Sequence, residues 1–65
     1  MNLKMDPYML LSIVNTKLRN RYRTVAELAE EEALDQARLL EALKKIGYSY
    51  NDQTNQFVGE ANEDH

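Results

Sequence analysis

The sequence predicts a mainly α-helical domain with a small β-hairpin near its carboxyl end. Three segments carry apolar residues at the 3.6-residue spacing of amphipathic helices, and the segment after them changes to alternation. Residues that favour helix ends stand at the segment boundaries, where they can pair with backbone groups that a helix leaves unbonded. We therefore expect helices over about 7–21, 25–32 and 36–46, and hairpin strands over about 48–51 and 56–58.

The chain of 65 residues is long enough for one small domain. A domain of this size buries only about 60% of the surface that its unfolded chain exposes. There is no cysteine, so no disulfide or thiolate-bound metal can reinforce the core. The apolar runs are too short to span a bilayer and lack signal-peptide flanks, so we expect a cytoplasmic protein. We assign residues 1–58 to the domain and the polar, acidic residues 59–65 to a disordered tail.

Asp6 and Pro7 predict the start of the first helix, because aspartate is a good N-cap and proline suits the first helical position. The apolar residues that should face the core are Leu10, Leu11, Val14, Leu18 and Tyr22. Met9 and Ile13 lie nearly opposite, either as ordinary surface residues or as a self-association contact. Asn15 falls within the apolar arc. It either ties this helix to a neighbouring loop or helix end, or makes a polar contact at an interface.

Leu3 and Met5 alternate with polar residues, which predicts a short extended segment over residues 1–5. Its best use is as a third strand beside the hairpin.

The segment between the first helix and the hairpin has the outline of a helix-turn-helix. Thr24 and Glu27 form a capping box, in which the Glu27 carboxylate reaches back to the Thr24 amide. Asp35 is the N-cap of the next helix, and Gly47 suits the left-handed position that ends it. Ala33 stands in the turn, where a positive φ would strain an alanine and loosen the turn.

The predicted hairpin has a four-residue loop over 52–55, rich in residues that favour turns. This loop places Tyr50 opposite Phe57, with Tyr48 on the same face. We expect these aromatic side chains to cover the helices and not to stack on bases, because so small a domain has little else to bury.

The sequence resembles known proteins in two ways, one in a single segment and one over the whole chain. The segment ELAEEEALDQARLLEALKKIGY resembles the helix-turn-helix of small bacterial regulators of the winged-helix type, which usually have a glycine where this chain has Ala33. The whole chain resembles a narrower family of short bacterial proteins of uncharacterised function. The family's opening, DP-x-MLLS-x-VNTKLR, is Asp6 to Arg19 here, and its closing GY-x-Y and NQFV lie within Gly47 to Val58. The resemblance implies a winged helix-turn-helix-like fold more than an activity.

No constellation of catalytic or cofactor-binding residues stands out. The single histidine is His65, and without cysteine there is no zinc site or nucleophile–histidine pair. The consecutive glutamates 30–32 are expected to form a solvated helix face, without the burial that perturbs a pKa. We expect a protein that is not an enzyme and has no cofactor, no small-molecule ligand and no membrane partner.

Charge is distributed unevenly along the chain, with net values of +4 over residues 1–23, −5 over 24–43 and −2 over 44–65. Cations at the end of the first helix can meet phosphates or an acidic partner. They also gather there simply because the helix dipole favours them, or to neutralise the acidic helix that follows.

The favoured hypothesis is a protein-interaction or structural module that acts through a protein partner or a homodimer. The alternative is a DNA-binding regulator whose 36–46 helix enters the major groove, although the acidic net charge counts against it. The candidate contact residues for a partner or nucleic acid are Lys17, Arg19, Arg21, Arg23, Gln36, Arg38, Lys44 and Lys45. The candidate residues for self-association are Met9 and Ile13.

Overall fold

The computed structural model describes residues 3–59. Within that part, three helices precede a two-stranded antiparallel sheet. The helices α1, α2 and α3 span Pro7–Asn20, Val25–Glu31 and Gln36–Lys44, and the strands β1 and β2 span Tyr48–Asn51 and Gln56–Gly59. This order of elements and the mainly helical content confirm the predicted fold class.

All three helices end one or two residues earlier than the sequence predicts. After Lys44 the helix gives way to a tighter turn. The Ile46 amide donates to the Leu43 carbonyl and the Gly47 amide donates to the Lys44 carbonyl, each three residues back. Gly47 has a left-handed φ of +87°. At the other end of the hairpin, Gly59 pairs with Tyr48 and therefore belongs to β2, not to the tail. The rest of the predicted tail, residues 60–65, lies outside the described residues.

The predicted caps begin each helix. The Asp6 side chain accepts a hydrogen bond from the Tyr8 amide, and Asp35 accepts one from the Arg38 amide. Thr24 accepts from the Glu27 amide at 3.1 Å. The return bond of this capping box differs from the prediction, because the Glu27 carboxylate accepts from the amide of Arg23 at 2.9 Å and not from that of Thr24. Each helix therefore begins directly after an N-cap residue whose side chain accepts a hydrogen bond from a backbone amide of the first turn.

The turn after α2 has the hydrogen bonds of a Schellman motif. The Leu34 amide donates to the Ala29 carbonyl at 2.8 Å, and the Ala33 amide donates to that of Glu30 at 3.3 Å. This geometry needs a left-handed residue, and Ala33 has a φ of +59°. A residue with a Cβ in that conformation costs about 1–2 kcal/mol. Ala33 is therefore strained, as its place in the turn predicts.

The core lies where the three helices meet the inner face of the hairpin. The side chains with no exposed surface are Leu10, Val14, Leu28, Leu39 and Leu43. Phe57 completes the core from β2 and is 3% exposed. It lies opposite Tyr50 in the ladder, with ring centroids 5.4 Å apart and planes tilted by 54°. The predicted register and inward aromatic face are confirmed.

Asn15 ties α1 to β2. Its Nδ2 donates to the Phe57 carbonyl at 3.1 Å, and its Oδ1 accepts from the Phe57 amide at 2.7 Å. The side-chain amide of Gln56, the residue before Phe57 in β2, donates to the Asn15 carbonyl at 2.9 Å. Both ends of the Asn15 amide are therefore satisfied within the domain, which supports a structural role.

The prediction of a third strand over residues 1–5 is wrong for residues 3–5, which form a turn and a bend. Leu3 and Met5 both pack against the core and Lys4 between them is exposed, as the alternation predicts, but the backbone of this segment is not part of the two-stranded sheet. Leu3 also lies beside Ala42 of α3. Residues 1 and 2 lie outside the described part of the chain.

Candidate interaction site

The end of α1 presents a concentrated positive charge. Arg19, Arg21 and Arg23, hereafter the arginine cluster, are exposed and together line a concavity of about 460 Å³. Within residues 3–59, none of the three guanidinium groups has a carboxylate oxygen within the 4.0 Å of an ion pair. The guanidinium groups of the cluster therefore form no ion pair within the described residues.

Asn55 of the hairpin loop holds the backbone beneath the arginine cluster. Its Nδ2 donates to the carbonyls of Leu18 and Tyr22 at 3.0 Å and 2.9 Å, which caps the last turn of α1. Its Oδ1 accepts from the Tyr50 hydroxyl at 2.5 Å. Asparagine tolerates the left-handed backbone that this position needs, and its φ is +55°. The hairpin loop thus fixes the backbone from which the arginines project.

Arg21 has a further contact that restricts its side chain. Its guanidinium carbon lies 5.2 Å from the centroid of the Tyr22 ring, within the range of a cation–π interaction. The Tyr22 ring is itself buried, and its hydroxyl donates to Glu32 at 2.7 Å. Arg21 therefore packs on a ring whose position is fixed by burial and by the hydrogen bond of its hydroxyl to Glu32.

Lys17 differs from the three arginines, because its charge is already matched. Its Nζ lies 3.1 Å from Oε2 of Glu32, the same oxygen that accepts from the Tyr22 hydroxyl. The hydroxyl bond, and then Lys17, lower the pKa of Glu32, and the bond raises the pKa of Tyr22. The prediction that all of glutamates 30–32 form a solvated face with unperturbed pKa values is therefore wrong for Glu32, whose side chain is only 15% exposed.

The outward residues of α3 are divided between two surfaces. Gln36 and Lys44 line an open groove between α3 and β1, hereafter the α3–β1 groove, with a volume of about 750 Å³. Arg38 and Lys45 line a smaller concavity that also contains Glu41. All four candidate residues are exposed, and they are divided between these two concavities. The arginine cluster lines a third, separate concavity.

The self-association candidates lie on the outer side of α1. Met9 is 58% exposed and its neighbour Tyr8 is 59% exposed, whereas Ile13 is half-buried. Tyr8 and Met9 are consecutive residues of the helix, so their side chains point in different directions and are two separate exposed apolar positions. Self-association through Met9 and Ile13 stays a prediction.

In the part of the chain that the structure describes, no helix is long and apolar enough to cross a membrane, and no three side chains of the metal-binding types gather into a metal site. No curated protein and no solved structure matches the sequence. The winged-helix resemblance therefore stays a prediction. A family model described as Domain of unknown function (DUF4250) matches residues 4–57. Because this match covers most of the 65 residues, the chain belongs to that family of domains of unknown function.

Proposed function

We propose that this domain is a non-catalytic protein-interaction module that binds an acidic partner protein through Arg19, Arg21 and Arg23. The observation that carries the proposal is that three exposed guanidinium groups share one concavity and form no ion pair with a carboxylate of residues 3–59. Arginine is suited to this role, because its planar fork can donate two parallel hydrogen bonds to one carboxylate.

The backbone beneath the cluster supports the proposal. Asn55 caps the end of α1, so the main chain from which the arginines project is held before a partner arrives. A preorganised surface loses less conformational entropy on binding than a mobile one does. The Arg21–Tyr22 contact reduces that loss further for one side chain.

DNA binding through α3 is the competing function. Duplex DNA carries one negative charge per roughly 1.7 Å of axis, so binding it calls for a broad surface with a net positive charge. The net charge of this chain is −3. The cations of α3 are split between two concavities, and Glu41 lies among those of the smaller one. These observations favour an acidic protein partner over a duplex.

A fluorescence anisotropy experiment at low salt distinguishes binding to an acidic protein from binding to DNA. The probes are a labelled glutamate-rich peptide and a labelled mixed-sequence duplex. The R19Q/R21Q/R23Q variant removes the arginine cluster, and K44Q/K45Q removes cations from α3 as the control. We expect the acidic peptide to bind the wild type and the lysine variant, and to lose binding to the arginine variant. Duplex binding that depends on the lysines, or peptide binding that survives loss of the arginines, would overturn the proposal, as would no binding of either probe.

A homodimer through Met9 and Ile13 is a second form of interaction, supported by the exposure of Met9 and Tyr8. Sedimentation equilibrium of the wild type and of Met9→Glu at high concentration tests it. A concentration-dependent mass in the wild type that falls to the monomer value in the variant supports the dimer. A strict monomer removes it.

A further inference from the structure

The two outer edges of the hairpin are not equivalent. In an antiparallel pair, the amide and carbonyl of one residue point to the same side of the strand, and the side alternates along the chain. Phe57 directs both groups to the side chain of Asn15, away from β1. Tyr50 lies directly opposite Phe57, so its amide and carbonyl point away from β2. The same holds for Tyr48, two residues earlier.

Asn15 thus closes the outer edge of β2 at Phe57. On the outer edge of β1, no hydrogen bond from residues 3–59 reaches the amide or carbonyl of Tyr48 or Tyr50. Two donors and two acceptors therefore stand in a row at the spacing of a strand. Such an edge is a ready template for another extended chain.

Of the two residues with outward backbone groups, Tyr50 lines the α3–β1 groove, together with its neighbours Ser49 and Asn51. The opposite wall consists of Gln36, Leu40 and Lys44, which lie one above another on successive turns of α3. Val25 and Val58 add apolar surface. The volume of about 750 Å³ lies within the range of about 300–1,000 Å³ that is usual for binding pockets.

The charged side chains of the groove stand at its two ends. The chain runs along α3 toward Lys44 and returns along β1, so Lys44 lies near the Tyr48 end of the strand. Asp52 follows the last residue of β1 and lies at the opposite end. These two are the charged residues of the lining. A bound segment is therefore oriented by a positive charge at one end of the groove and a negative charge at the other.

We propose that the α3–β1 groove binds an extended segment of a partner protein, which adds to β1 as a third, antiparallel strand. An antiparallel segment runs from Asp52 toward Lys44. Its complementary sequence has a basic residue at the amino end, apolar residues facing Leu40 and Val25, and an acidic residue at the carboxyl end. Main-chain hydrogen bonds to Tyr48 and Tyr50 supply the affinity, and the charged ends supply the direction. This site is separate from the arginine cluster and does not rest on it.

A single strand fits this site better than a second copy of the domain. The open edge is only four residues long, and α3 stands beside it. Two-fold pairing of β1 with its own copy would bring a second α3 to the same seam.

The test is an NMR titration of the ¹⁵N-labelled full chain with the capped peptide KTVTVE, its charge-reversed counterpart ETVTVK, and a KTVTVE peptide N-methylated on the amides that would pair. We expect KTVTVE to shift the amides of Tyr48 and Tyr50 and slow their hydrogen exchange. ETVTVK should bind roughly five-fold more weakly, as two exposed charge pairs allow. The N-methylated peptide should not bind, because its pairing donors are blocked.

Variants of the protein test the direction of binding. The double variant K44E/D52K exchanges the charges at the two ends and should prefer ETVTVK. The matched control is K45E, which alters the next lysine, outside the groove, and should keep the preference for KTVTVE. Equal binding of the N-methylated peptide, a preference unmoved by K44E/D52K, or no response at millimolar peptide would each overturn the proposal. Concentration-dependent shifts of Tyr48 and Tyr50 without peptide would overturn it in favour of self-pairing.

Discussion

Replacing Asn15 by alanine should lower the free energy of unfolding by about 3 kcal/mol, because two hydrogen bonds of about 1 kcal/mol are lost and two backbone groups are left unpaired. The two bonds join the Asn15 amide to the Phe57 amide and carbonyl at 2.7 Å and 3.1 Å. Phe57 is 3% exposed, so water reaches its backbone poorly. In a domain of this size the loss should lower Tm by roughly 12–24 °C, measured by circular dichroism.

Asn20→Ala on the same helix is the control, since Asn20 is exposed and should change stability by less than about 0.5 kcal/mol. Asn15→Asp tests the donor alone, because aspartate keeps the acceptor for the Phe57 amide but turns a second oxygen toward the Phe57 carbonyl. Protonation restores the donor, so this variant should gain stability relative to wild type as the pH falls. An Asn15→Ala variant with the wild-type Tm would refute the reasoning.

Three further predictions concern the turns and the partly exposed ion pair of Lys17 and Glu32. Ala33→Gly should stabilise the domain by about 0.5–1 kcal/mol in urea denaturation, because relief of the left-handed strain exceeds the added entropy of the unfolded chain; a loss of stability would contradict this. Gly47→Ala, at a φ of +87°, should destabilise it by about 0.5–1 kcal/mol in the same assay, because the left-handed strain of the alanine exceeds the reduced entropy of the unfolded chain, and an unchanged midpoint would count against the assigned conformation. The pKa of Glu32 is lowered in the folded state, so its stabilisation is present above the ordinary pKa of 4.5 and is lost as the pH falls through the folded value. The Tm difference between wild type and Glu32→Gln should therefore shrink in acid, and a difference that grows there would exclude the pairing of Glu32 with Lys17.

Features that depend on neighbouring residues could be predicted from the sequence. The Thr24 cap, the left-handed strain at Ala33 and the pairing of Tyr50 with Phe57 each follow from a few consecutive residues. The predicted structural role of Asn15 also agrees with the structure, since a polar residue inside an apolar arc must find a partner. The partner itself, 42 residues away, had no signal in the sequence.

Features that depend on how the elements pack could not be predicted. The bond between Lys17 and Glu32 requires α1 and the end of α2 to lie side by side, which helical spacing within either segment does not reveal. Asn55 looked like an ordinary turn residue, yet it caps a helix more than 30 residues earlier in the chain.

The candidate sites also differ in whether the sequence could predict them. The arginine cluster is visible in the sequence because its members alternate within five residues. The division of the α3 cations and the open edge of β1 depend on where the hairpin packs.

The bond between Asn15 and Phe57 also has a consequence for synthesis on the ribosome. Phe57 is translated 42 residues after Asn15, which at 5–20 residues per second is a delay of roughly 2–8 s. During that interval the nascent first helix has an apolar side without its cover. The core therefore cannot be completed until Phe57 has been synthesised, and a chain truncated before Phe57 should be removed by cellular proteases.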